Sequence, residues 1–366
     1  MTRRSATLAF LIGSVLIGSA ALAVLTVTDP QPSPATGLPD PGVVTRWGLP
    51  VAQGMRDLSA ALTIGLVFVV AVLLPQDSRA RSRLSGARAQ GLGAAGLCAG
   101  LWAFASAVVV VFSCSDVAGV PVVSPALWSE LPAFVKDTDV GQANMICTVL
   151  VGVVAVGCLA ARRFEGAEVA ILLLSLAALW PLSSTGHVST DDNHQQAVLL
   201  LFVHLVAVTI WIGGLAALAF LQGEVGRYRD AVLRRYSVTA ACCLTAVAVS
   251  GVVGAWLRLG TWSELGSPYG VVILIKVGVL LALGAIGYLH RRRLVDKSPT
   301  WTEHARRRFA ALAGGELLIM CLAMALGVAL GRTPPPPSLD RNASSATPDA
   351  SDRHCAALDY EVHPSA

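Results

Sequence analysis

Three histidines lie close together in the chain: His187, His194 and His204, with Asp191 and Asp192 between the first two. They form the densest set of ligand-capable side chains in the sequence. Imidazole with carboxylate suits borderline metals, and imidazole with thioether or thiolate suits copper. Spacing limits how the three can act. If a helix starts near His194, ten residues carry His204 about 15 Å along its axis. The pair then cannot close on one ion, and the histidines read as separate steps on an entry path. A solvated loop side chain is the competing reading for His187 and His194. His204 falls inside an apolar run, where polar groups are costly and tend to be functional.

Other chemistry-bearing residues lie further along. Glu316, Met320 and Met324 recur every four residues, so a helix places them on one face. Thioethers one turn apart are soft ligands suited to Cu(I), although Met also serves as core filler. Met145 and Cys147 give a weaker version of the same signal. Lys276 and Glu316 are charges inside apolar runs, each within about 6 Å of the expected bilayer midplane. An unpaired charge there costs at least about 2.5 kcal/mol. The two runs are consecutive and antiparallel, so a Lys–Glu pair is the expected solution, either architectural or as a gate. Trp211 follows His204 by seven residues and shares its face. Gly213 and Gly214 come next, and Gly213 with Ala217 makes a small-xxx-small pair that admits a neighbouring helix. These residues either shape a pocket or simply pack. No nucleophile, base and orienting group can be proposed together, so the chain does not read as an enzyme.

The elements that must carry these residues follow from composition. The chain has 366 residues, of which 54% are hydrophobic and 14% charged; soluble domains carry about 25% charged residues. A soluble globule could not hide that much apolar surface, and a disordered chain would not contain it. A polytopic membrane protein remains. The net charge of +4 comes from arginines in short clusters between apolar runs, with only 6% aromatic residues, so a nucleic-acid partner is not expected.

Nine apolar runs approach the length of a membrane-crossing helix: Leu8–Val27, Leu58–Leu74, Gly91–Phe112, Met145–Ala161, Ala167–Leu182, Ala197–Leu221, Val238–Leu257, Val271–Leu289 and Phe309–Leu330. The expected fold is an all-α polytopic membrane helix bundle of about nine transmembrane helices. With the N-terminus in the cytoplasm, 19 Lys and Arg fall on the inner side and 7 on the outer. The positive-inside rule selects that direction and puts the C-terminus outside. Only Arg162, Arg163 and Glu165 separate the fourth and fifth runs. The first run reads as an uncleaved anchor, with a signal peptide as the alternative. Most cysteines lie in apolar runs and read as packing residues; Cys114 and Cys355 fall on outer segments. The expected division is residues 1–54 as anchor and outer loop, 55–164 as helices two to four, 165–333 as a second transmembrane domain, and 334–366 as a disordered extracytoplasmic tail.

The stretch from Gly186-His187 through His204-Leu205-Val206-Ala207 to Trp211-Ile212-Gly213-Gly214-Leu215 resembles the core signature of the copper resistance D family. Pro268-Tyr269-Gly270, Lys276, His290-Arg291-Arg292-Arg293-Leu294, Glu316 and Arg332-Thr333-Pro334-Pro335 follow in the same order. The resemblance is specific from about residue 165 to 336, looser before that, and closest to the actinobacterial branch. That branch is often fused to an oxidase-assembly (CtaG-like) half, which this sequence lacks. It also departs from the family at Val271 and at Gly141-Gln142, where a basic residue is frequent.

The resemblance implies copper as the bound or transported ion, in a multi-pass protein of the cytoplasmic membrane, with His187, His204, Lys276 and Glu316 as the polar residues to test. The implied partners are membrane lipid, an extracytoplasmic copper-binding protein and oxidase assembly factors. Two alternatives stay open. One is a b-type haem electron carrier using intramembrane histidines, for which His204, with His290 and His187 at the boundaries, would be the candidates. The other is an accessory factor for cytochrome c oxidase assembly that moves no ion.

Overall fold

In the computed structural model of the chain, residues 40–161, 164, 166–184, 194–259, 268–290, 313–321 and 323–324 are described. The first expected span, the loop carrying His187, the arginine-rich loop at 291–308 and the tail at 334–366 lie outside the described residues. So do the side chains of His194 and His290.

Every regular element among the described residues is a helix. Helix α1 covers Gly42–Phe68 and runs on through a π-helical turn, Val69–Leu73. It is followed by α2 (Ser78–Arg83), α3 (Ser85–Ala118), α4 (Pro125–Asp137), α5 (Asp139–Ala160), α6 (Ala167–Ala177), α7 (Trp180–Ser184), α8 (His194–Leu221), α9 (Arg229–Leu259) and α10 (Pro268–His290). Residues 313–321 and 323–324 are also helical. Six stretches of the described chain are long and apolar enough to cross a membrane, and α10 adds a shorter one, Ile273–Gly287. This is an all-α, multi-pass membrane bundle. The break between the fourth and fifth expected spans is present, since α5 stops at Ala160 and α6 starts at Ala167.

Two regions differ from the apolar pattern. Helix α1 begins at Gly42, well before Leu58, so residues 42–54 are helical where an outer loop was expected. Polar residues break the hydropathy of this stretch, but packing on α3 holds it. Thr45 donates to Ser115 Oγ (2.6 Å), which donates in turn to the Val120 carbonyl (2.6 Å). Leu49 and Ala52 pack with Val109. The second region is the expected outer loop 113–144. There α3 continues to Ala118 and ends at Gly119, whose φ of 63° suits a residue without a Cβ. Helix α4 then forms, capped by Ser124 with Pro125 in its first turn. It buries Leu127 and Phe134 against Val110 and Cys114.

Helix α1 is the centre of the bundle. It packs between α3 and α8; α5 lies beyond α3, and α9 then α10 lie beyond α8. Helix α6 leans on α1 and α5. One end of the bundle is rich in arginine. There the carbonyls freed by the π turn are covered: Gln76 Nε2 faces those of Val70, Ala71 and Leu74 at 2.9 to 3.2 Å, and Arg235 donates to that of Leu73 at 3.1 Å. Free backbone carbonyls at helix ends need such partners. Apolar side chains such as Leu97, Val156 and Leu281 stand exposed on the outer faces, as a bilayer requires.

Candidate functional site

Helix α8 starts at His194, so His204 sits ten residues inside it, about 15 Å along the axis. Its imidazole is half-buried and turns toward α9. There Nδ1 meets Ser250 Oγ at 2.9 Å. Ser250 is buried in the middle of an apolar helix, and its hydroxyl donates to the Ala246 carbonyl at 2.6 Å. Lys276, half-buried on α10, lies within electrostatic reach of His204. Consecutive helices α8, α9 and α10 thus each contribute one polar side chain to the same part of the bundle.

A second polar locus lies toward the arginine-rich end of α9. Tyr236 is buried, and its hydroxyl donates to the Trp211 carbonyl on α8 at 2.7 Å. Its ring fills space left by Gly214, where an added Cβ would come within 2.8 Å of it. Trp211 is also buried. Glu316 is buried at 8% exposure and acts electrostatically on Tyr236. Met320, one turn beyond Glu316, is buried at 2%, and Met324 packs half-buried against the same core.

Gly213 faces the opposite neighbour. A Cβ there would run into the Ala61 carbonyl of α1, and a Cβ on Gly65 would run into the Gly213 backbone. Ala61 and Gly65 are themselves four residues apart. The close approach therefore joins small residues on both helices.

The expected site residues thus divide. His204 and Lys276 lie within electrostatic reach of one another; Trp211, Gly214 and Glu316 each neighbour Tyr236, which was not expected at the site; and Gly213 serves the contact with α1. His187 lies outside the described residues, and only the backbone of His194 is described. Among the described residues no three His, Cys, Asp or Glu side chains converge on one point.

Several polar residues escaped the sequence reading. Ser250 and Tyr236 carry no charge and look like ordinary helix residues; their regular spacing on α9 was the available signal. Arg88 was counted as an orientation signal at the inner membrane face. It is in fact buried, with its guanidinium 3.2 Å from Glu168 on α6 and a further bond to Gln76 Oε1 at 2.8 Å. Arg56 and Asp57 pair at 2.9 Å on α1, and Arg56 also reaches Asn144 on α5.

Two family models fit this architecture. The copper resistance protein D-like N-terminal domain matches residues 43–197, from the start of α1 to the first turn of α8. Copper resistance protein D matches residues 230–330, which hold Ser250, Lys276, Glu316, Met320 and Met324. The chain belongs to the copper resistance protein D family. The N-terminal half, where the family signature looked looser, is matched by its own domain, while His204, Trp211 and Gly213 fall between the two matched segments. A curated relative, "Copper transport protein CutJ" of Bacillus subtilis (strain 168), is 30% identical over 143 residues, covering 36% of this chain and 26% of the relative. The chain thus spans about a quarter of the length of that curated relative in the aligned region. No solved structure matches. The chain is a multi-pass membrane protein of a copper-related family.

Proposed function

We propose that this protein moves or delivers copper across the cytoplasmic membrane. The observation that carries the reading is His204, an imidazole held well inside a membrane-spanning helix and steadied by a neighbouring helix. A bilayer interior penalises such a group, and those kept there tend to be functional. Copper would be captured at the outer mouth by His187 and His194 and passed to His204. The thioethers of Met320 and Met324 would then serve as soft ligands on the inward side. Lys276 and Glu316 would set the local charge or gate the path, and Trp211, Gly213 and Gly214 would shape its walls. Membership of the copper resistance protein D family and the name of the Bacillus relative support copper as the substrate.

The test is copper uptake into proteoliposomes holding the full chain, comparing wild type with His187→Ala and His204→Ala. Reduced flux in both variants is expected. Equal flux in all three would overturn the reading, and a Soret absorption band in the purified protein would redirect it to haem.

A further inference from the structure

His204 can hand a metal only the ring nitrogen that carries no proton, and which nitrogen that is depends on the bond the other one makes. The surroundings of Ser250 settle the question. Its hydroxyl has one proton, and two carbonyls of its own helix stand near: Ala246 at 2.6 Å and Val247 at 3.3 Å. An oxygen–oxygen contact of 2.6 Å is a hydrogen bond with the proton between the atoms. With that proton spent on Ala246, Ser250 Oγ can only accept from His204. At 2.9 Å, His204 Nδ1 must therefore carry the hydrogen. We infer that Ser250 is a positioning residue, which holds His204 as the Nδ1–H tautomer and presents its Nε2 lone pair as the copper ligand.

This inference rests on the copper reading of His204, which it deepens. It gives a purpose to a serine buried in an apolar helix. A serine placed only to fill space would need just the bond back to Ala246, which any helix offers. Here the same oxygen accepts from a second helix, 46 residues away in sequence. Groups that orient a metal-binding histidine in this way are typically worth about ten- to a hundredfold in metal affinity.

The test uses the full chain in lipid nanodiscs and proteoliposomes. Nitrogen NMR of ¹⁵N-histidine-labelled protein reports the tautomer, with the His204 signals identified by their loss in His204→Ala. Wild type should show a protonated Nδ1 and a bare Nε2. Ser250→Ala should mix the tautomers and raise the KM for copper about ten- to a hundredfold, with maximal uptake changed less than twofold. Ser250→Thr keeps a hydroxyl that can bond back to the helix and should restore both readouts. An Nε2–H tautomer in the wild type would overturn the inference. So would a Ser250→Ala variant whose tautomer and KM match wild type while His204→Ala is impaired. Wild-type uptake by His204→Ala would instead remove the copper reading, with the tautomer measured independently.

Discussion

Gly65 and Gly213 meet backbone to backbone where α1 crosses α8, leaving no room for a side chain on either. This contact joins the segment matched by the N-terminal domain to the helix that carries His204. Gly213→Leu should therefore force the helices apart. Overpacking of this kind costs about 1–3 kcal/mol in ordinary cores, and a clash with rigid backbone belongs at the upper end. Gly93 is the control, since nothing lies within 4 Å of a Cβ there. Gly93→Ala should be neutral or stabilising by up to about 1 kcal/mol. Unfolding of the two variants in detergent checks the contrast, and equal stability would refute the crossing.

The buried pair between Arg88 and Glu168 makes a second prediction. Both side chains are under one-tenth exposed, so removing one strands the other. Glu168→Leu should cost about 3–5 kcal/mol. Replacing both, as Arg88→Leu with Glu168→Leu, should recover part of that loss, because no buried charge is left over. The recovery is incomplete, since Arg88 also bonds Gln76 and the Pro75 carbonyl. Unfolding midpoints of the two single variants and the double variant decide the matter. A double variant less stable than either single one would show that the pair is not the main role of these residues.

Much of the architecture was legible from hydropathy, because a bilayer demands long apolar helices and little else satisfies the backbone inside it. The seven apolar runs from Leu58–Leu74 to Val271–Leu289 appear as helices, the described part of Phe309–Leu330 is helical as well, and even the short break near Arg162 holds. What the pattern missed lay where tertiary packing replaces hydropathy. Residues 42–57 are too polar to read as a span, yet Thr45, Leu49 and Ala52 lock them onto α3. The site was partly legible for a related reason. A histidine or lysine in an apolar run announces itself, whereas Ser250 becomes visible only when His204 is seen across from it. Arg88 misled because an arginine at the end of an apolar run looks the same whether it faces water or a buried Glu168.

Cys242 and Cys243 offer a check on the rotation of α9. The first is exposed among the described residues, and the second is buried at 7% exposure on the face that also carries Tyr236 and Ser250. A lipid-soluble carbene photolabel, which inserts into side chains without needing a thiolate, should therefore modify Cys242 at least about tenfold more heavily than Cys243. Mass spectrometry after photolabelling provides the measurement. A reversed ratio would mean that α9 is rotated and that Ser250 does not face His204.

Lys276 and Glu316 carry the last prediction. Sequence alone suggests that they neutralise each other, but each also has a distinct polar neighbour: Lys276 acts on His204, and Glu316 on Tyr236. A positive charge near His204 opposes a bound cation there. Lys276→Met should therefore tighten copper binding by on the order of 1 kcal/mol, roughly fivefold. Tighter binding slows release, so uptake by that variant should fall even as affinity rises. Glu316→Gln should change the affinity less than twofold, because its charge works at the other polar locus. The double variant should then bind copper like Lys276→Met alone. Titration of the four proteins with copper, followed by uptake measurements, closes the cycle. Equal affinity changes in both single variants, with no further change in the double, would instead tie the two charges directly to each other.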